Sequence, residues 1–225
     1  GLNKINITFD TSSLLIDIEK LLGVTKLTGK DCLLYIQITR GVAPRQHSYP
    51  LDIVPTVMMY AVPKVLPKIN AVNAKVITRE DFRWSRCDIK MTSLLGNVML
   101  NEEAVQHQCF ETILHRDGFF TEASHCNVFF VKDGVVLTHP ANELILDGIT
   151  RQVVFELCKS LDIEIQETLV SINDVSEIDE AFLTGTSTQI ASIQQIDDHI
   201  LYKENNIGPV TQKLQEAFLK IKSIN

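Results

Sequence analysis

The stretch ETILHRDGFFTEASHCNVFFVKDGVVLTHP, residues 111–140, contains two β-hairpin patterns in succession. In each pattern, two runs of β-branched and aromatic residues flank an Asp-Gly pair, first Asp117-Gly118 and then Asp133-Gly134. An Asp-Gly pair between two such runs is a strong local signal for a two-residue hairpin turn. The stretch therefore predicts an antiparallel sheet in the C-terminal half of the chain.

Strand and helix patterns extend from this stretch in both directions. Runs rich in β-formers predict strands at 32–41, 53–62, 74–84, 85–90, 163–170, 180–186 and 191–196. Apolar residues at helical spacing predict helices at 14–22, 92–109 and 208–223, and a loop running into a helix at 144–161. The residues predicted to share the inward face of the last helix are Val153, Val154, Leu157, Cys158 and Leu161. For the helix at 92–109, the predicted N-cap is Thr92 or Ser93, and the predicted inward side chains are Leu95, Val98, Met99 and Val105.

The best candidate for a linker is the two-proline segment 63–74. It divides the chain into the remainder of a small N-terminal α/β domain, residues 1–62, and a larger strand-rich domain, residues 75–225. The expected fold class is therefore mixed α/β with two lobes. Gly1 stands where an initiator methionine is usual, so we expect either a cleavage scar or a fragment of a longer protein.

Composition narrows the class of function. The net charge of −7 has no basic excess to neutralise phosphates, which argues against nucleic acid as the main partner. The five cysteines are odd in number and show no CxxC spacing, a pattern typical of reduced thiols in a cytosolic protein. The chain has no apolar run of membrane-spanning length and no signal-peptide pattern. We therefore expect a soluble, cytoplasmic protein without a membrane partner.

Lys90 stands where the predicted strand at 85–90 ends. Most lysines in such a place are solvated and carry no chemistry. The neighbouring Ile89 and the Leu94-Leu95 pair nevertheless indicate a partly desolvated site, and desolvation favours the neutral amine. A neutral lysine amine attacks carbonyl carbons and forms a Schiff base.

Two glycine-containing loops offer groups that bind an anion. In LDGITR, residues 146–151, the amides of Ile149 and Thr150 open a helix, where unpaired N–H groups attract negative charge. In EAFLTGTSTQ, residues 180–189, Thr186 belongs to a cluster of hydroxyl side chains behind a strand. The two loops suit one phosphate, and the alternative for the first is an ordinary helix with a side-chain cap.

Three further residues are candidates for binding. Glu122, flanked by strand-forming residues, is either an outward surface residue or the buried partner of a cationic group. Arg45 and His47 alternate in a proline-bounded loop, so both can face one carboxylate, although an exposed polar loop is the simpler interpretation. The remaining histidines show no metal-ligand spacing, and no catalytic metal is predicted.

These candidates occur together in one known family. The stretches that carry the resemblance are RWSRCDIKMTSLLGN (83–97), ETILHRDGFFTEASHCNVFFVKDG (111–134), THPANELILDGITR (138–151) and FLTGTS (182–187). In this order and spacing they resemble the fold-type IV pyridoxal-phosphate aminotransferases. ITRGVAPRQH (38–47) is similar to the D-amino-acid, or D-alanine, transaminase branch. The resemblance extends over nearly the whole chain, from about residue 5 to residue 220.

The resemblance implies a pyridoxal 5′-phosphate enzyme with a role for each candidate. Lys90 matches the catalytic Schiff-base lysine, and Glu122 matches the glutamate beside the pyridine nitrogen. Leu146 matches the apolar side chain on the ring face, and the remaining cofactor residues match the phosphate-binding groups: Ile149, Thr150 and Thr186. Arg45 and His47 match the pair that binds the substrate α-carboxylate across a dimer interface, which implies a homodimer.

The reaction implied is transamination between a D-amino acid such as D-alanine and a 2-oxo acid, either 2-oxoglutarate or pyruvate. Alternatives within the fold are 4-amino-4-deoxychorismate lyase and branched-chain-amino-acid aminotransferase, and an alternative outside enzymes is an inactive dimerising fragment. Family members have additional N-terminal residues, so we expect this chain to lack part of that region. His125 and Cys126 stand where the family has small hydroxyl residues, and Gly185 replaces a serine.

Overall fold

The computed structural model describes residues 1–202 and 206–224. The chain folds into two compact units, Gly1–Leu66 and Pro67–Asn225. This division falls inside the segment 63–74, which the sequence predicts as the linker. The predicted domain boundaries at 62 and 75 stay a prediction.

The first unit contains one helix and one two-stranded sheet. Helix α1, Leu14–Val24, follows a short 3₁₀ turn whose first amides are capped by Asp10, which accepts from the Ser12 amide at 2.9 Å. Strands β1, Cys32–Thr39, and β2, Thr56–Pro63, pair antiparallel along their whole length. The predicted strands at 32–41 and 53–62 and the predicted helix at 14–22 are confirmed.

In the described part of the second unit, nine strands form one mixed sheet. The strands are β3 Asn73–Glu80, β4 Glu111–Arg116, β5 Phe119–Ala123, β6 Asn127–Lys132, β7 Val135–Thr138, β8 Ile165–Glu167, β9 Glu180–Gly185, β10 Gln189–Ile196 and β11 His199–Ile200. Their order is β5-β4-β3-β10-β9-β6-β7-β8, and β11 pairs with β10. The helices are α2 Leu95–Gln106, α3 Ile149–Ser160 and α4 Pro209–Ile224. The predicted mixed α/β class is confirmed.

Both predicted hairpins are present, with the expected turn geometry. Asp117 and Gly118 join β4 to β5 with φ values of 50° and 80°. Asp133 and Gly134 join β6 to β7 with φ values of 51° and 80°. Two successive positive φ values fit the twist of the flanking strands, and aspartate with glycine reaches them at low cost.

The sheet is covered on both faces by apolar side chains. Phe129 and Phe130 are neighbours on β6 that point to opposite faces, and both are fully buried. Phe130 belongs to one core cluster, whereas Phe129 belongs to a second, which also contains Val154 and Leu157 of α3. The predicted inward face of the helix at 144–161 is therefore confirmed at these two positions. Burial of such side chains contributes roughly 1.5–3 kcal/mol each.

Two local predictions near Lys90 are wrong. Residues 85–90 form turns and bends instead of a strand. Just before this segment, Arg116 of β4 donates to the carbonyls of Arg83 and Trp84, both at 2.9 Å, so these carbonyls bond to a side chain and not to a neighbouring strand. Helix α2 has Leu94 as its N-cap without a side-chain cap, not Thr92 or Ser93.

The buried face of α2 also differs from the prediction. The side chains predicted to point inward are mostly exposed: Leu95, Val98, Met99 and Val105. The helix instead buries Leu100 and Ala104, because it packs against β4, where Thr112 Oγ1 donates to the Leu100 carbonyl at 2.6 Å. Within the described residues, the structure has no helix that combines the length and apolar character needed to cross a membrane.

Candidate active site

Glu122, near the end of β5, is a carboxylate buried among hydrogen-bond donors. Its Oε1 atom accepts from Arg83 Nη2 at 3.0 Å. Its Oε2 atom accepts from the Leu146 amide at 2.9 Å and from Asn127 Nδ2 at 3.3 Å. A carboxylate has about four acceptor positions, so these three donors from the described residues leave room for another. Of the two interpretations left open by the sequence, the structure supports the buried partner of a cation.

Arg83 links Glu122 to a second buried carboxylate, that of Asp81. Its Nε and Nη2 atoms donate to the two Asp81 oxygens at 3.0 and 2.9 Å. Arg116 Nη2 approaches the same Asp81 group at 3.1 Å. Two carboxylates and two guanidinium groups therefore form one network, in which each buried charge has an opposite partner, as buried charges require.

The two carboxylates of this network differ in how readily they ionise. Burial raises the pKa of the Glu122 carboxyl to about 7, although the charge of Arg83 and the Leu146 amide act in the opposite direction. Burial also opposes ionisation of Asp81, but hydrogen bonds and charge from Arg83, together with Arg116, outweigh it and lower the Asp81 pKa. Glu122 thus titrates near neutrality, and a further cationic donor beside it favours its charged form.

Asn127 connects Glu122 to the loop that precedes α3. Its Nδ2 atom donates to the Leu146 carbonyl at 2.7 Å as well as to Glu122. A Cβ atom placed on Gly148 would lie only 2.4 Å from Asn127 Oδ1. Glycine at this position therefore permits the close approach of the loop to β6, and Leu146 is held beside Glu122 as a result.

The first turn of α3 is open to an anion. Gly148 is the N-cap residue and supplies no side-chain cap, while the Asp147 carboxylate bonds to Arg151 Nη1 at 2.8 Å. The ordinary side-chain cap that the sequence also allowed is therefore not made. The amides of Ile149 and Thr150 are left at the positive end of the helix dipole, where anions bind favourably.

Thr186 lies in the turn that follows β9, and its side chain is exposed. The strand end is brought close to the α3 loop, because Thr184 of β9 pairs with Asn127 of β6 in the sheet. The Thr184 hydroxyl is buried and has no hydrogen-bond partner in the described part of the chain. A buried hydroxyl without a partner is uncommon in folded proteins, so it marks a place where a ligand oxygen or water is expected.

Lys90 lies in the turn segment between Arg83, which contacts Glu122, and Asn97, whose Nδ2 atom donates to the Ser124 carbonyl at 2.6 Å. The Lys90 side chain is exposed, so the prediction that Ile89 and the Leu94-Leu95 pair partly desolvate its amine is wrong. Ile89 is buried beside it, whereas Leu94 and Leu95 are themselves exposed and do not cover the amine.

Arg45 and His47 belong to the first unit. Both are exposed in the loop between β1 and β2, as the simpler interpretation of that loop expects. Their pairing on a substrate carboxylate stays a prediction. The catalytic and cofactor roles of Lys90, Glu122 and the phosphate-binding residues likewise stay predictions at this point.

Sequence reasoning missed three functional positions, Arg83, Asp81 and Asn127. Each acts on a residue that the sequence did identify, either by charge or by fixing the loop before α3. The alternation of Asp81 and Arg83 beside a predicted strand was the available signal for a charged pair, since alternate residues share a face. Nothing in the sequence locates their partner Glu122, which lies 39 residues from Arg83.

The chain is a mixed α/β protein of two units, with a buried carboxylate beside an open helix N-terminus. Comparisons with known proteins identify its family. The model for "Amino-transferase class IV" matches residues 1–196. The D-alanine aminotransferase of Bacillus licheniformis is 36% identical over 214 residues, which cover 95% of this chain and 75% of the relative. That of Staphylococcus haemolyticus is 40% identical over 191 residues, covering 83% and 67%. The chain belongs to the class IV aminotransferase family.

Solved structures agree with this assignment. The branched-chain amino acid aminotransferase of Escherichia coli has a TM-score of 0.81 at 25% identity, covering 96% of this chain and 73% of that one. A second branched-chain amino acid aminotransferase, solved with pyridoxamine 5′-phosphate, has a TM-score of 0.78 at 28% identity, covering 95% and 72%. The resemblance to fold-type IV aminotransferases noted in the sequence is thereby confirmed.

Proposed function

We propose that this protein is a pyridoxal-phosphate-dependent aminotransferase that transfers an amino group between a D-amino acid, such as D-alanine, and a 2-oxo acid. The relatives named D-alanine aminotransferase are 36–40% identical to this chain. The branched-chain aminotransferase structures reported above are 25–28% identical, which favours the D-amino-acid reaction over the branched-chain alternative. The structural observation that most directly supports this proposal is the buried Glu122 carboxylate, which Arg83 holds beside the loop that precedes α3.

The residues present fit the chemistry of pyridoxal phosphate at each of its polar groups. Glu122 has an acceptor position left for a ring N–H donor, and Arg83 favours the ionised carboxylate. The open amides of Ile149 and Thr150 suit the phosphate, with Thr186 as a hydroxyl donor. Lys90 supplies the amine for the aldehyde. Leu146 offers an apolar side chain, next to Glu122, for the ring.

When bound, the cofactor supplies an aldehyde that captures amines and an electron-poor ring that stabilises negative charge at the substrate Cα. Glu122 acts at the ring nitrogen, where its negative charge retains a proton. Lys90 acts at the Cα proton, which its amine accepts and later returns as a general base and acid. The exposed position of Lys90 gives its side chain freedom to move between these two tasks.

Binding of the substrate carboxylate is assigned to Arg45 and His47. A guanidinium fork and an imidazole on alternate positions hold a carboxylate in one orientation. We propose that a homodimer brings this pair to the site across the subunit interface. The cytoplasmic location stays a prediction.

A labelling experiment tests the cofactor role of Lys90. Borohydride reduction of the protein with pyridoxal phosphate, followed by peptide mass spectrometry, is expected to place the pyridoxyl label on Lys90. Lys90→Ala should abolish the label and lower turnover at least a thousandfold, whereas the exposed Lys159→Ala should change neither. A label on another lysine, or full turnover in Lys90→Ala, would refute the assignment.

A substrate comparison tests the reaction. More than one pyruvate per active site should form from D-alanine only when 2-oxoglutarate is present, and L-leucine should be a poor donor under the same conditions. Pyruvate formed from aminodeoxychorismate without an amino acceptor would indicate the lyase. If the reduced sample carries the label on Lys90 but an unreduced sample with pyridoxal phosphate shows no turnover, the result would indicate the inactive fragment.

A further inference from the structure

A cluster of three different donor groups lies at the end of the β4–β5 hairpin. Glu111, His125 and Cys126 each offer one ligand atom, and these three atoms all lie within 4.8 Å of one another. Glu111 and Cys126 are buried, while the His125 side chain is about half exposed. The predicted cofactor and substrate residues do not include any of them.

Glu111 is oriented so that one oxygen faces the other two groups. Its Oε1 atom accepts from the Thr112 amide at 2.7 Å and from Ser124 Oγ at 2.5 Å. Its Oε2 atom lies 2.6 Å from His125 Nδ1 and receives no hydrogen bond from elsewhere in the described residues. Hydrogen bonds that fix one carboxylate oxygen and leave the other free are typical of the partners that orient a metal ligand.

Cys126 is placed by the turn that follows β9. Its Sγ atom lies 3.1 Å from Thr188 Oγ1. A Cβ atom on Gly185 would lie 3.3 Å from the same sulfur, closer than most such contacts. Glycine in place of a larger residue at 185 therefore makes room for the thiol.

We propose that Glu111, His125 and Cys126 form a binding site for a zinc-type divalent cation. A carboxylate, an imidazole and a thiolate are the three ligand types that Zn²⁺ takes in proteins. With bonds of about 2.0–2.3 Å, a four-coordinate ion holds its donors roughly 3.3–3.8 Å apart. Ion binding therefore opens the 2.6 Å contact between Glu111 Oε2 and His125 Nδ1 by about 1 Å and draws the longer distances, which reach at most 4.8 Å, closer by about the same amount. The proposal does not depend on the aminotransferase reaction.

The cluster reaches solvent at His125, whose side chain is about half exposed. His125 also lines a cavity of about 160 Å³, together with Thr188 and Ser187. Three protein ligands and one open position are the arrangement of zinc sites that take water or a small anion.

Cobalt(II) chloride, added to the full-length purified protein at pH 8 after chelation and dialysis, tests the proposal. A difference spectrum against the same sample before addition removes any absorption by bound cofactor. The expected result is one cobalt ion per chain, a thiolate-to-cobalt charge-transfer band and the intense visible bands of a four-coordinate ion. Zinc chloride should then abolish the band. Absence of a charge-transfer band would mean that the three groups form an ion pair and a thiol contact only.

Matched variants assign the ligands. Cys126→Ser should remove the band, and His125→Ser should weaken cobalt binding at least tenfold. Cys109→Ser and His107→Ser are controls, because these residues form another His-Cys pair of the same unit outside the cluster. A band that persists in Cys126→Ser, or that is lost in Cys109→Ser, would overturn the site. His125 is half exposed, so His125→Ser remains informative if the buried Cys126→Ser fails to fold, as circular dichroism would show.

Discussion

Replacement of Arg83 by methionine removes the cation that two buried carboxylates share. The Arg83 and Glu122 side chains are each 7% exposed and that of Asp81 is fully buried, so water cannot replace the guanidinium. Asp81 keeps Arg116 at 3.1 Å after the change. Glu122 keeps only neutral donors from its neighbours, and its charged form is left without a partner.

The expected cost follows from this burial. Removal of one partner from a buried ion pair destabilises a protein by about 3–5 kcal/mol. The cost should be largest at pH 8, where Glu122 is ionised in the parent protein, because its pKa is raised to about 7. At pH 5.5 Glu122 is mostly protonated in both proteins, so only the pair with Asp81 is lost and the cost should be smaller.

Urea unfolding at the two pH values measures this difference. Arg79→Met is the matched control, since Arg79 forms an ion pair with Glu103 that is about one third exposed and such pairs contribute about 0–1 kcal/mol. A loss of less than about 1 kcal/mol for Arg83→Met at pH 8, or a larger loss at pH 5.5 than at pH 8, would refute the reasoning. The first outcome would mean that Arg83 is solvated, and the second that Glu122 is not the group it stabilises.

Three further changes test other parts of the structure. The raised pKa of Glu122 favours the folded state below about pH 4.5, and this contribution is lost as the pH rises through about 7. Glu122→Gln should therefore gain stability relative to the parent by about 3 kcal/mol between pH 4.5 and 8, by urea unfolding. Gly148→Ala pushes a Cβ atom towards Asn127 Oδ1 and should weaken cofactor affinity roughly tenfold, by absorbance titration. Leu100→Ala should cost about 2–5 kcal/mol in urea unfolding, and Leu95→Ala under about 1 kcal/mol.

Each of these three predictions can be contradicted by a specific result. A stability difference between Glu122→Gln and the parent that stays constant with pH would mean that Glu122 titrates normally. Gly23→Ala is the control for Gly148→Ala, because a Cβ atom on Gly23 meets no other atom. Equal losses of cofactor affinity in the two variants would mean that the close approach of Gly148 to Asn127 is not the cause. Equal costs at Leu95 and Leu100 would mean that the exposed face of α2 is covered in solution.

Elements that depend on local chemistry were predictable from the sequence. The two Asp-Gly turns fix their hairpins through the backbone of two residues each, and both were found. The face of α3 was also predictable, because its apolar side chains lie on one side only. Helix α2 was not, since it carries apolar residues on both sides and periodicity cannot select the one that packs on β4. The backbone just before the turns at 85–90 bonds to Arg116, which is 33 positions from Arg83, and no local pattern predicts such a contact.

The functional residues divide in the same way. Glu122, Ile149 and Thr150 lie in short stretches whose pattern resembles a family, so a sequence comparison finds them. Arg83 and Asn127 lie in the same stretches, but what they do depends on contacts made in the folded sheet. Their contribution becomes visible only when the sheet brings β5, β6 and the loop before α3 together.

The Glu111–His125 pair is an intermediate case, because the predicted hairpin brings the two strand ends together but a β-bulge decides which residues meet. Counting outward from the Asp117-Gly118 turn, one residue at a time on each strand, brings Glu111 opposite Ser124. The β-bulge between Ile113 and His115 shifts the register by one residue, which brings Glu111 opposite His125 instead. A search for metal ligands by sequence spacing alone misses this pair, since strand pairing joins residues by register and not by a fixed interval. Hairpin register is therefore the physical rule by which a buried carboxylate and a histidine fourteen residues apart come to share one site.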